Sequence, residues 1–175
     1  MRQIIAVLFF LAACSPREKF VHDEEKFEPL HVQSGAERKL FSLKNTPVGN
    51  LDFLIINFYA PDCPPCIQEV PELNRLWAYT QKNPRVQFIA IGSSLSAIGE
   101  EISVDKIRLE ALAMQKKLSM NYPSFVATSH QLKSWRVTAF PETFIFRSDG
   151  EAWRLHKKFI SDVTFAALLN EMVSN

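Results

Sequence analysis

The sequence predicts an α/β domain built on a central mixed β-sheet flanked by helices, and three observations carry that prediction. Leu54-Ile55-Ile56-Asn57-Phe58-Tyr59 is a short, nearly all-apolar run, the pattern of a strand buried on both faces of a sheet. Pro64 to about Lys82 follows with Ile67, Val70, Leu73, Leu76 and Trp77 at helical spacing, and Val86-Gln87-Phe88-Ile89-Ala90-Ile91 then reads as a second buried strand. This β-helix-β order implies a parallel pair with a crossover helix. Downstream, Thr143-Phe144-Ile145-Phe146 turns at Ser148-Asp149-Gly150 into Ala152 to Phe159, an antiparallel pair, so the sheet is mixed.

The chain opens on a different chemistry. Met1-Arg2-Gln3 is a positive start, and residues 4 to 13 are an unbroken apolar run, shorter than the about 20 residues a bilayer-spanning helix needs. With the abrupt change at Ser15-Pro16-Arg17, it reads as the hydrophobic region of a secretory signal peptide. Leu11-Ala12-Ala13-Cys14 resembles the lipobox of bacterial lipoproteins, which implies removal of residues 1–13 and a lipid on Cys14 that tethers a soluble domain to a membrane. Ser15 resembles the outer-membrane sorting class. Residues 14–37 are polar and charged around Asp23-Glu24-Glu25-Lys26, without a sustained period, and are expected to form a tether, part of which could dock as a strand. The folded domain is then expected over residues 38–175, a length that supports one core.

Within that domain, Ser93 to Glu101 is expected as a loop and Val104 to Met120 as an amphipathic helix, with Ile107, Ala111, Met114 and Leu118 along one face. Tyr122 to Ala127 is expected as a short strand. A last helix, capped by Ser161 or Asp162, carries Phe165, Leu168, Leu169 and Met172. The formal net charge of +1 with 22% charged residues gives no basic field for nucleic acid.

Chemistry concentrates in Ala60-Pro61-Asp62-Cys63-Pro64-Pro65-Cys66. The chain holds three cysteines, so lipidation of Cys14 leaves one pair, Cys63 and Cys66. A disulfide closing so short a loop restricts the unfolded chain little, which argues against a purely structural staple. Cysteines at i and i+3 share one side of a helical turn, and the helix N-terminus stabilises a thiolate on the first. Cys63 is expected as the exposed nucleophile that attacks a substrate disulfide, and Cys66 as the resolving thiol. Pro64 and Pro65 suit a first helical turn. The alternative, half of a zinc site, needs two further ligands, and His22, His31, His130 and His156 are scattered singly; no metal and no cofactor beyond the redox disulfide are expected.

This arrangement resembles the thioredoxin fold, and more closely the TlpA/ResA/CcmG branch of membrane-tethered bacterial thiol-disulfide oxidoreductases. Ile56-Asn57-Phe58-Tyr59-Ala60 leads into the Cys-Pro-Pro-Cys motif as that branch's strand does, and Pro71 sits five residues after the second cysteine, where thioredoxins kink the helix. Phe140-Pro141-Glu142-Thr143-Phe144 matches the cis-proline segment, and Val104 to Pro123 fits the branch's helix inserted between the βαβ half and the cis-proline half. The resemblance implies a cis Pro141 beside the disulfide and a Phe140 backbone that pairs with the substrate chain. It also implies a reductase on the periplasmic side of a bacterial membrane. Its partners would be apocytochrome c or a copper-site protein as substrate, and a membrane electron donor of the DsbD/CcdA kind. A disulfide oxidase or isomerase is the alternative within the same chemistry, and a copper-binding protein using both thiolates is the alternative outside it. A peroxidase fits less, because the threonine that peroxiredoxins carry three residues before the cysteine is Ala60 here.

Two departures bear on mechanism. Asn57 stands where thioredoxins place a buried aspartate, and an amide cannot take a proton from the second cysteine. Glu100, Glu101 and Asp105, in the inserted segment, are the replacement candidates. Asp62 stands where the branch has tryptophan, and a carboxylate ~8 Å from the Cys63 sulfur would oppose the thiolate by roughly 2 kcal/mol at an effective dielectric of 20. Trp77, Trp135 and Trp153 are expected in packing roles, and Arg154 to Lys158 as a solvated basic face.

Overall fold

The computed structural model describes residues 18–20, 30–32, 40–41, 51–147, 152–155 and 170. The signal peptide, Cys14, the Ser148-Asp149-Gly150 turn and the last helix's cap and apolar face lie outside the described residues.

Five strands form the centre. Here β4 (Phe53–Tyr59) and β5 (Val86–Gly92) are parallel, and β6 (Ser124–Val126) continues parallel beyond β5. On the other side of β4, β7 (Glu142–Arg147) runs antiparallel and pairs in turn with β8 (Ala152–Leu155). Three short strands from the segment expected as a tether and its exit join this sheet: β1 (Glu18–Phe20) beside β8, β2 (Leu30–Val32) beside β6, and β3 (Leu40–Phe41) beside β2. The eight-stranded order is β1-β8-β7-β4-β5-β6-β2-β3. The sheet therefore draws on residues before 38, in line with the expectation that part of the tether docks as a strand. Backbone pairing to an open sheet edge needs no apolar period, which is why composition alone read these stretches as tether.

Helix α1 (Pro64–Thr80) lies between β4 and β5 in sequence, and it turns Cys66, Glu69, Val70, Leu73 and Leu76 inward. It ends where Thr80 Oγ1 and Asn83 Nδ2 donate to the carbonyls of Trp77 and Tyr79 at 2.8 Å, and Pro84 cannot continue it. The expected loop after β5 contains a 3-10 turn, Leu95–Ile98. Helix α2 (Val104–Lys117) follows, with Ser103 Oγ accepting from Lys106 N at 3.3 Å, Asp105 in its first turn, and Lys116 and Lys117 in its last. Helix α3 (Ser129–Ser134) is short and was not expected, although Thr128 and Gln131 form a capping box around its start.

The helices divide the core in two. On one face of the sheet, α1 and α2 cover Phe53, Ile55, Tyr59, Phe88 and Ala90, with Ile107, Ala111 and Met114 from α2. On the other, Leu54, Ile56, Phe58, Ile89 and Ile91 pack with Leu132, Trp135, Phe144 and Phe146. Alternation along β4 assigns its residues to the two faces. Trp135 is fully buried and meets the Phe58 and Phe144 rings with centroids 5.5 and 6.3 Å away, which confirms its packing role.

Candidate active site

Cys63 occupies the N-cap of α1. Its backbone is extended, its Sγ accepts the Cys66 N–H at 3.3 Å, and Pro64 and Pro65 fill the first helical positions. Proline costs nothing there, because the N–H groups of a first turn have no partner inside the helix. The one N–H that the motif leaves free in this turn, that of Cys66, is aimed at the Cys63 sulfur. That geometry, together with the positive end of the helix dipole, favours a thiolate on Cys63. The pair is joined in a disulfide with a Cα–Cα distance of 5.3 Å.

One expectation needs correction. Cys63 was expected to be exposed, and in the disulfide it is 2% exposed while Cys66 is 1% exposed. The bond to Cys66 turns the Cys63 side chain inward, against the cluster that contains Tyr59 and Ala60. Pro64, Pro65, Asp62 and Ile67 make up the exposed surface around it.

The segment before β7 carries the expected proline. The Phe140–Pro141 bond is cis, as the resemblance implies, with Pro141 buried and Phe140 half-buried and packed against both cores. The two residues that follow hold this segment in place. Buried Glu142 accepts the Thr138 N–H through Oε2 at 3.1 Å, closing the turn that carries Phe140 and Pro141. Thr143 Oγ1 accepts from Asn57 Nδ2 at 3.1 Å, which ties the start of β7 to the middle of β4.

Asn57 leads to the residue that sequence reasoning missed. Its Nδ2 also donates to Glu69 Oε1 at 2.9 Å, and Asn57 and Glu69 are both fully buried. Glu69 lies three residues after Cys66, one helical turn deeper on the same side of α1. This places a buried carboxylate one turn below Cys66, held by the Asn57 amide. The acids expected to take that cysteine's proton, Glu100 and Glu101, have exposed side chains, as does Asp105. Glu101 lines a small depression with Ile102, Thr128, Ser129 and His130 at the start of α3, and the Glu100 carbonyl accepts from Ser129 Oγ. The segment is anchored to α3 on the far side of the sheet, so its carboxylates stay in water. The signal for Glu69 was present in the sequence: it stands inside the apolar stripe Cys66, Val70, Leu73, Leu76, where a charge is costly unless it is used.

Asp62 is exposed and lines a cavity of about 560 Å³ beside the motif, together with Pro61, Ile67, Ser94, Lys106, Met114 and others. Among the described residues no cluster of three or more His, Cys, Asp or Glu side chains is placed to hold a metal ion.

No family model matches the sequence, and no curated protein matches it. Solved structures do. A secreted Mycobacterium tuberculosis disulfide oxidoreductase, described as homologous to Escherichia coli DsbE, superposes with a TM-score of 0.63 at 18% identity, over 88% of this chain and 100% of that one. A thiol-disulfide oxidoreductase from Bacteroides fragilis gives 0.60 at 19% identity, over 83% of this chain and 96% of that one. A thioredoxin-related protein from Neisseria meningitidis serogroup B gives 0.61 at 17% identity, over 83% and 99%. At these identities the likeness is one of architecture: the chain is an α/β protein of the thioredoxin-like fold.

Proposed function

We propose that this protein is a thiol-disulfide oxidoreductase that reduces disulfides in partner proteins, working as a lipoprotein on the periplasmic side of a bacterial membrane. The observation that carries the reading is the placement of Cys63 Sγ at the N-cap of α1, receiving the Cys66 N–H, in a chain whose Phe140–Pro141 bond is cis. In the reduced enzyme the Cys63 thiolate attacks one sulfur of the substrate disulfide and expels the other as a thiolate, giving a mixed disulfide. Cys66 then gives its proton to the Glu69 carboxylate and attacks Cys63 Sγ. The mixed disulfide breaks, the second substrate thiolate leaves, and two electrons have passed from the enzyme pair to the substrate. The enzyme ends in the Cys63–Cys66 disulfide and needs a dithiol donor to start again, in keeping with a membrane electron-transfer partner of the DsbD/CcdA kind. Apocytochrome c haem-attachment cysteines or copper-site cysteines are the substrates that the resemblance favours.

Equilibration of the pair with a glutathione or dithiothreitol redox buffer tests the direction. A reductase is expected to have a potential below about −220 mV, on the thioredoxin side of the scale. A value near that of the strong oxidant DsbA, about −120 mV, would replace reduction with oxidation as the function.

A further inference from the structure

One side chain joins the helix of the cysteine pair to the strand that follows the cis-proline. Asn57 sits within β4, fully buried, with Thr143 of β7 as its antiparallel partner in the sheet. Its amide nitrogen donates twice, to Glu69 Oε1 on α1 at 2.9 Å and to Thr143 Oγ1 at 3.1 Å. A side-chain amide nitrogen carries two hydrogens, so both are used. Glu69 lies one helical turn below Cys66, and Thr143 comes two residues after cis Pro141. Two residues further along the same face of β4, the Tyr59 hydroxyl shares a 2.9 Å hydrogen bond with Ser124 Oγ.

The neighbours set the orientation of that amide. Turned over, it would bring Oδ1 onto the Glu69 oxygen, acceptor against acceptor. In the orientation adopted, Oδ1 is buried without a hydrogen-bond partner. A leucine would fill nearly the same space with no orphaned acceptor, so packing does not account for an amide at this position. What the amide supplies is a pair of donors, one aimed at a buried carboxylate and one at the first turn of chain after the proline.

We propose that Asn57 is a positioning residue for the resolving step: one amide hydrogen holds the Glu69 carboxylate in its ionised form, and the other, on Thr143, fixes the amide to the strand that continues from cis Pro141. This rests on the function proposed above, in which Glu69 takes the Cys66 proton. The Cys66 sulfur then bonds to Cys63 as the mixed disulfide breaks, and the proton passes from Glu69 to the departing substrate thiolate or to solvent. Around Glu69, α1 brings Cys66 and also Glu72, which is paired with Arg75. Strand β4 brings Tyr59, β7 brings Thr143, and the approach to β6 brings Tyr122, whose hydroxyl is kept protonated by burial. Strand β5 presents Phe88 and Ala90 to the same core, and α2 presents Ile107, Ala111 and Met114. A donor to the charged form holds a carboxyl pKa down; removing it raises that pKa, and a second carboxylate in its place raises it further.

The test is carbon-13 NMR titration of the Glu69 carboxyl in the oxidised protein, beside the rate of mixed-disulfide resolution against pH with the first attack by Cys63 timed separately. Asn57→Leu is expected to raise the carboxyl pKa by about one unit and to move the resolution profile equally toward alkaline pH, which is about tenfold slower on the acid side, with the first attack unchanged. Asn57→Asp keeps the shape of the side chain and serves where the leucine variant does not fold. It is expected to raise the carboxyl pKa further, because two carboxylates in hydrogen-bond reach share one proton. Thr143→Val should move both readings the same way by a smaller amount, and Thr143→Ser, which keeps the hydroxyl, should match wild type. A carboxyl that titrates as in wild type in the Asn57 variants, a Thr143→Val protein identical to wild type, or a profile shift that persists in a Glu69→Gln background overturns the proposal. The titration needs no turnover. A raised carboxyl pKa in a protein without exchange activity keeps the Asn57 assignment and removes the functional reading, whereas an unmoved one with exchange intact does the reverse.

Discussion

The two faces of the sheet are made from alternate residues of the same strands, yet they are built for different ends. Leu54, Ile56 and Phe58 of β4 face a core closed by Trp135, Phe144 and Phe146, with rings in edge-on and stacked contact. Ile55, Asn57 and Tyr59 face the other core, where α1 brings the cysteine pair and where Asn57, Glu69, Tyr59, Tyr122 and Ser124 place five polar side chains. Burying an amide and a carboxylate costs stability unless both are hydrogen-bonded, and here Asn57 Oδ1 and the Tyr122 hydroxyl lack partners. The apolar face holds the fold together, and the polar face spends part of that stability on chemistry. Substitutions on the two faces should therefore separate stability from exchange.

The largest effect expected is complete loss of exchange in Cys63→Ser, because the buried Cys66 is then left without the partner thiol that a complete exchange cycle needs. Cys66→Ser should instead trap partners on Cys63, visible as adducts released by reductant; recovering none would count heavily against the reductase reading. Next comes the apolar face. Trp135→Ala should cost about 3–5 kcal/mol in denaturant unfolding, with the potential of the cysteine pair unchanged in the fraction that folds. Glu69→Gln should do the opposite, slowing resolution by about a hundredfold while stability stays level or rises, since an amide fills the space but takes no proton. If Glu69→Gln unfolds the protein and leaves the rate alone, the two faces are not divided as described.

Gly92→Ala lies between these cases. The added Cβ meets both Tyr59 and Ala111 at 3.0 Å or closer, so the tyrosine has to yield. A loss of about 1–3 kcal/mol is expected from the overpacking. The resolution profile should move with it if the Tyr59–Ser124 bond helps to set the field around Glu69.

Legibility from sequence follows the range of the interactions. The β4-α1-β5 unit, the cysteine pair and the cis-proline segment were readable because each is a contiguous pattern of apolar period or motif. Helix α3 was missed because six residues are too few to show a period, although Thr128 and Gln131 at capping-box spacing marked its start. Strands β1 and β2 lie in the stretch read as a tether that could dock in part as a strand, and which residues dock was not legible because a strand of three residues leaves no pattern. Glu69 was visible as an acid in an apolar stripe, but its partner Asn57 lies 12 residues away on another element.

Asp62 is the site residue in neither core, and the smallest effect belongs to it. It is exposed, on the loop that leads into the N-cap, so solvent screens its charge from Cys63 more than the sequence alone would suggest. Its sign is still defined. A carboxylate near the N-cap opposes the Cys63 thiolate, and Asp62→Asn removes that opposition. The Cys63 pKa should fall, the reduced form should be favoured, and the potential should rise. The expected change is under one pH unit in the thiolate absorbance titration and correspondingly under about 30 mV in the potential. The two shifts should agree in size, because both report the same stabilised thiolate. A pKa that stays level or rises would remove Asp62 from the site and leave the helix N-terminus as what sets the reactivity of Cys63.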